Sequence, residues 1–226
     1  MLERNPRWWI PIGFAVAYLI VMTLLRVILT VYQWHELDWT LLLPGFVIGF
    51  LYDLAFYSYL LIPFVFYVWL MPDRLFRNRV SFMATLVVLW TFMFGLGFVG
   101  IAEWFFWDEF KARFNFIAVD YLVYTSEVFH NVMESYPIKP ILFGIGTVAV
   151  LGVYLLLPFI RHAYAKPSTY QHRSAAALLL LVIPVAVFYG LGQGAHQFSK
   201  NRYHNELTSN GPYQFIAAFR NNKMDF

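Results

Sequence analysis

The chain has 226 residues, of which 60% are hydrophobic, 21% aromatic and 13% charged, whereas a water-soluble domain carries about 25% charged residues. That shortage of polar surface excludes an ordinary soluble globular protein. The formal net charge of +3 is not gathered into a basic patch interleaved with aromatics, so no nucleic-acid partner is expected. The absence of cysteine excludes disulfides, thiol catalysis and Cys-ligated metals.

Taken in order, the chain opens on a short polar segment with Arg4 and Arg7 just before Trp8 and Trp9, an interfacial anchor. A first apolar run covers residues 8–31, too long for a signal-peptide core and without a small-residue cleavage site after it. A loop with Glu36 and Asp38 leads to a second run, 41–71. The loop with Arg74, Arg77 and Arg79 leads to a third, 80–102. A fourth run covers 138–160, and after Arg161, Lys166 and Arg173 a fifth covers 175–194. Runs of about 20 apolar residues are the length a bilayer-crossing helix needs. The expected fold is therefore an all-α integral membrane protein, a five-transmembrane-helix bundle, with residues 1–196 as the membrane domain and 197–226 as an external connector.

Charge sets the orientation. The N-terminus and the second and fourth loops hold eight Lys and Arg against two acids, Glu3 and Asp73. The first and third loops hold three basic residues against eight acids. By the positive-inside rule the N-terminus is expected in the cytoplasm, and five spans then put the C-terminal tail outside.

Arg26 and Asp53 are the two ionisable residues well inside apolar runs. Such groups face a partner or a cavity, because a charge at the bilayer centre costs on the order of 3 kcal/mol. They are read as an intramembrane polar pair, either an ion pair joining the first two helices or the lining of a lipid-headgroup or proton path. Gly45-x-x-x-Gly49 and Gly190-x-x-x-Gly194 have the spacing of close helix packing.

Residues 104–137 combine an aromatic belt, Trp104 to Trp107, with an amphipathic pattern. Phe114, Ile117, Tyr121, Tyr124, Val128 and Val132 recur at helical spacing, and Arg113, Asp120, Glu127, Asn131 and Glu134 trace a polar stripe that Pro137 ends. This predicts an external interfacial helix. It either caps the bundle or offers lipid-headgroup or interdomain contacts through Glu103, Asp108, Glu109, Arg113, Asn115, Asp120, Tyr121, Tyr124 and Glu127. In the tail, Asn210-Gly211 reads as a helix stop, and Pro212 opens a second interfacial helix with Tyr213, Ile216 and Phe219 on one face. The last residues read as a linker toward a following domain. No P-loop, Rossmann fingerprint, HExxH or Ser-His-Asp pattern is present, and the scattered histidines have no ligand spacing. No catalytic, cofactor-binding or metal-ligating residue is expected.

Three segments carry a resemblance. RFNFIAVDYLVYTSEV at 113–128 with SYP at 135–137, YDLAFYSYLLIP at 52–63, and NELTSNGPYQFIAAFRNNKMDF at 205–226 are similar to segments of lipoteichoic acid synthase-like proteins. These are bacterial phosphoglycerol and phosphoethanolamine transferases of the alkaline phosphatase/sulfatase superfamily. One departure is Leu51, where relatives often have Arg beside the aromatic-Asp pair. The resemblance implies a multi-pass domain in the bacterial cytoplasmic (inner) membrane that anchors a sulfatase-like catalytic domain and positions a membrane phospholipid donor. The threonine nucleophile and the divalent cation, Mn or Zn, would belong to that domain, outside this chain. Two other readings stand beside it: a free-standing membrane scaffold acting through protein partners, and a small transporter using Asp53 and Arg26.

Overall fold

The computed structural model describes the backbone of residues 5–123, 130 and 134–221, and the side chains of these except 120–123, 193, 219 and 221. The described residues contain helices and no strand. Five elements are long and apolar enough to cross a membrane. They are built on α1 (Trp9–Tyr32), α2 (Leu42–Leu70), α4 (Arg79–Phe110), α6 (Ile138–Ala165) and α7 (Tyr170–Gly190). Shorter helices are α3 (Asp73–Phe76), α5 (Phe116–Val123), α8 (Arg202–Thr208) and α9 (Gly211–Asn221).

Local chemistry sets the ends. Asn78 caps α4 by accepting the Val80 N–H at 3.3 Å, and Asn115 caps α5 by accepting that of Ile117 at 2.9 Å. Asp38 accepts from both the N–H and the hydroxyl of Thr40, at 2.9 and 2.8 Å, and so starts the 3-10 turn Trp39–Leu41 before α2. Lys111 ends α4 in the left-handed region, φ 51°, with its N–H on the Trp107 carbonyl at 2.8 Å.

Two departures from the sequence reading follow. The third run does not stop at residue 102: α4 is 32 residues long, roughly 48 Å at 1.5 Å per residue, so Trp104 to Trp107 continue the same helix. Arg113 does not share a helix with Asp120, because the chain breaks between Phe110 and Phe116. The rest of the expected amphipathic pattern, including Tyr124, Val128, Asn131 and Val132, lies outside the described residues.

The chain divides into two compact units. The first comprises Met1–Ile20, Tyr57–Gly97 and Gly146–Leu191. Its centre is aromatic: the Phe14, Phe64 and Phe92 rings meet with centroids 4.9 to 5.5 Å apart, and the Tyr57 hydroxyl donates to the Pro11 carbonyl. A hydroxyl cluster joins Tyr67, Ser81, Thr85 and Tyr164 at 2.8 to 3.2 Å. Phe76 stacks on Tyr164 at 4.3 Å. The second unit comprises Val21–Phe56, Phe98–Ile145 and Gly192–Phe226. Its core is Leu25, Leu29, Leu37, Trp107 and Leu207, with Leu42, Trp104 and Tyr203 against it. Leu207 belongs to the tail, so the residues read as an external connector form part of a hydrophobic core.

Gly13 permits close helix contact in the first unit: a Cβ there would stand 2.9 Å from Phe159 Cγ, while Gly100 in α4 has nothing within 4 Å. Gly13→Ala is expected to lower stability in detergent by about 1–3 kcal/mol through overpacking. Gly100→Ala should be neutral or stabilising by up to about 1 kcal/mol. Thermal unfolding of the two variants measures the difference, and equal shifts would contradict the Gly13 contact.

Candidate functional site

The polar residues of the second unit converge on one short stretch of tail backbone, Leu207 to Gly211. Arg26 projects from α1 and forms a bidentate pair with Asp53 of α2, Nη1 to Oδ2 at 2.7 Å and Nη2 to Oδ1 at 2.9 Å. Both side chains are at most 1% exposed. The guanidinium also donates through Nε to the Leu207 carbonyl at 2.9 Å and through Nη2 to the Ser209 carbonyl at 3.3 Å. A second ion pair, also fully buried, joins Arg113 Nε to Glu103 Oε1. Arg113 Nη1 donates to the same Ser209 carbonyl at 2.7 Å, and its backbone N–H goes to Glu206 Oε2 at 3.0 Å. One carbonyl oxygen therefore receives two guanidinium groups, each with its own carboxylate.

Asn210 completes the constellation. Its amide nitrogen donates to Asp53 Oδ1 at 2.8 Å, and its oxygen accepts the Tyr213 N–H at 2.9 Å. Asn210 is thus the N-cap of α9, rather than the stop of the helix before it; α8 already ends at Thr208. Two glycines make room. A Cβ at Gly49 would fall 2.5 Å from Arg26 Cζ, and one at Gly211 would overlap the Glu103 carboxylate. Gly45 faces Thr208 and Phe198 of the tail. The Gly45/Gly49 spacing thus admits the tail and an arginine. The α7 helix ends at Gly190, and a Cβ added at Gly190 or Gly194 would meet nothing within 4 Å among the described residues.

The tail is tied down along its length. Asn201 donates to the Glu36 carbonyl at 2.6 Å, and buried His204 accepts the Asp38 N–H on Nε2 at 2.7 Å. Tyr213 packs edge-on to Tyr52 at 5.2 Å, and the Tyr52 hydroxyl donates to the Gly192 carbonyl at 2.9 Å. Three residues apart on α9, Tyr213 is buried while Ile216 is exposed; the Phe219 side chain lies outside the description. Burial lowers the pKa of His204 and raises that of Glu206, the latter against the opposing Arg113 N–H. A crevice of about 10 Å³ beside Arg26, Thr30, Gly45, His204 and Thr208 has room for about one water and none for a lipid headgroup.

The other sequence-selected residues fall in different surroundings. Asp108 is exposed, accepts the Tyr32 hydroxyl at 2.7 Å and pairs with Lys111 at 3.4 Å. Glu109 is exposed and Asn115 is half-buried as the α5 cap. Asp120 and Tyr121 lie on α5 with side chains outside the description, and Tyr124 and Glu127 are outside the described residues. The structure therefore brings Arg26, Asp53, Glu103 and Arg113 together around Ser209. Glu206 and Ser209 were not selected from sequence, His204 was noted only as one of the scattered histidines, and Gly49 and Gly211 were read only as a packing spacing and a helix stop. Asn-Phe-Ile and Asn-Gly-Pro, both N-cap signals, are the local cues that place the two turns. Among the described residues no group of three metal-ligating side chains forms.

Fold and site together define the class: a chain helical and strand-free among the described residues, with the helix complement of a multi-pass membrane protein and a tail clamped by buried ion pairs. No family model matches the chain, and no curated protein or solved structure matches it.

Asp53→Ala leaves Arg26 buried and unpaired and is expected to cost about 3–5 kcal/mol in thermal or denaturant unfolding. The double variant Arg26→Met/Asp53→Leu should recover about half of that loss or more. A double variant as unstable as the single would show that the carbonyl contacts, and not the stranded charge, dominate.

A pH dependence also follows. His204 is neutral when it accepts from Asp38, and its folded pKa lies below the ordinary 6.5. Its contribution to docking is full above that value and is lost as pH falls toward the folded one. Glu206 acts in the opposite sense, contributing fully below its ordinary 4.5 and losing that contribution as pH rises through its raised folded value. In a Glu206→Gln background, which removes the opposing group, protection of residues 202–218 from hydrogen exchange, corrected for the intrinsic pH dependence of exchange, should therefore fall between about pH 7.5 and about pH 5.5. His204→Gln, which keeps an acceptor, should flatten that change.

Proposed function

We propose that this chain is a membrane domain that holds its own C-terminal segment in fixed register at the outer face of the bacterial cytoplasmic membrane. It would serve as the anchor and lipid-donor-positioning part of a phosphoglycerol or phosphoethanolamine transferase similar to lipoteichoic acid synthase-like proteins. The observation that carries the anchoring role is the clamp on Leu207–Gly211: two buried ion pairs are spent on holding tail backbone. An anchor for a second domain needs such a rigid exit, since a flexible tail would not fix distance or orientation.

The resemblance of the 52–63, 113–128 and 205–226 segments supports the transferase assignment. All three segments supply residues to the clamp: Asp53, Arg113, and Glu206, Ser209 and Asn210. In this reading a sulfatase-like domain is the protein partner and carries the threonine and the Mn or Zn ion. The donor phospholipid lies beside the exposed acidic end of α4 and the helix that follows, where Asp108, Glu109 and Asp120 would meet the headgroup.

Cross-linking to a headgroup-photoactivatable phosphatidylglycerol tests the donor role. Glu109→Ala and Asp120→Ala should each lower labelling of residues 104–137, by about tenfold where a charge-assisted hydrogen bond is lost. Unchanged labelling in both would leave the stretch as a cap on the bundle. Orientation is checked in the same Cys-free background. A thiol probe should reach Ser135→Cys from outside intact cells and Ser174→Cys only after permeabilisation.

A further inference from the structure

We infer that the basic end of the first unit is a docking surface for anionic phospholipid headgroups of the adjacent leaflet. The inference rests on the chain lying in a membrane and is independent of the transferase reading. Arg7 and Arg173 both donate to the carbonyls of Val68 and Met71 at the end of α2, at 2.6 to 3.4 Å. Two guanidinium groups thus lie side by side, and Asp73 is the one carboxylate among the described residues of this unit. Asp73 is already engaged, with Arg7 at 2.8 Å and the Ser168 N–H at 3.2 Å. Burial pushes its pKa up, but Arg7 and the Ser168 N–H outweigh that and hold it low. The Nε of each arginine is buried without an acceptor among the described residues. The end carries positive charge that its own carboxylate does not cancel.

Around that fixed pair stand Arg74, Arg77, Arg79, Arg161 and Lys166, all exposed. They come from two stretches of chain, 74–79 and 161–166, that the fold joins: Phe76 stacks on Tyr164, and the Ser168 N–H donates to Asp73. The basic residues are therefore a single surface. The ligand chemistry is that of an acceptor-only anion, because guanidinium and ammonium groups donate and do not accept. A phosphodiester carrying acyl chains fits better than free phosphate, since the helix ends beside these residues expose Leu70, Leu75 and Val80 at 52 to 74%. Charge above and apolar helix faces below match a headgroup and its hydrocarbon. Juxtamembrane Lys and Arg attract an anionic leaflet in proportion to their number.

The test is native mass spectrometry of the full chain in non-ionic detergent with equimolar phosphatidylglycerol and phosphatidylcholine. Phosphatidylglycerol adducts are expected to dominate by at least about tenfold at low salt, and the preference should shrink in about 0.5 M salt. The variant Arg74→Gln/Arg77→Gln/Arg79→Gln/Arg161→Gln/Lys166→Gln should bring the two lipids to near parity, while Lys200→Gln, in the other unit, should leave the preference intact. If the fivefold variant does not fold, Arg74→Gln/Arg77→Gln/Arg79→Gln should lower the ratio at least about fivefold. Equal retention by the native chain, or a preference that survives removal of the basic residues, would overturn the inference. Displacement of the lipid by millimolar inorganic phosphate would overturn the lipid assignment in favour of a bare anion site.

Discussion

The second unit depends on the Ser209 carbonyl oxygen, which receives hydrogen bonds from Arg26 and from Arg113. A guanidinium in an apolar interior is costly unless it is paired and its remaining donors find acceptors. Asp53 and Glu103 supply the pairing, and the tail backbone supplies acceptors that no side chain of α1, α2 or α4 provides. The dependence runs both ways. The arginines hold the tail, and the tail makes the arginines tolerable where they are. The glycines follow from the same constraint, because Gly49 and Gly211 leave the space into which Arg26 and Glu103 fit.

The first unit uses the same chemistry on a different backbone. Arg7 and Arg173 satisfy carbonyls at the end of α2, just before Pro72, the N-cap of α3. Arginine suits both places: its donors form a planar fork that can meet a carboxylate and a carbonyl together, and its charge is not lost on burial. The difference is in the count of acids. In the second unit each arginine of the clamp has a carboxylate, so the ensemble is electrically closed. In the first unit Arg7 and Arg173 share Asp73 alone, and positive charge is left over.

The five long helices were legible because their signal is local: runs of apolar residues need nothing beyond their neighbours to be recognised. Their ends were less so. The α4 helix overshoots its predicted end because Trp104 to Phe110 suits the end of a membrane helix and an interfacial belt equally well. The clamp was legible only in part. Arg26 and Asp53 stood out as charges in apolar runs, but their third partner lies more than 150 residues further on. Glu103 looked like an interfacial residue because the third run was ended at residue 102, and Arg113 because helical periodicity was carried through a break that Lys111 and Asn115 make. Ser209 contributes through its carbonyl, which every residue has, so its side chain could not announce it.

That last point decides what kind of segment the tail is. By composition 197–226 is polar enough to be a solvated linker, and a linker samples many positions. The three bonds from guanidinium groups to Leu207 and Ser209 argue otherwise. A hydrogen bond to a charged group is worth about 1.5–3 kcal/mol, so even the low end of that range gives about 4.5 kcal/mol for three. At about 1.4 kcal/mol per factor of ten, the released state would be populated on the order of one part in a thousand. Release would also strand two buried guanidinium groups short of acceptors, which raises its cost further. The α9 helix starts from Asn210, inside this clamp, and its Tyr213, Ala217 and Ala218 are buried. The tail is therefore a strut whose origin is fixed by the same charges that an apolar interior would otherwise penalise, and the path of the chain through Asn221 is set at Ser209.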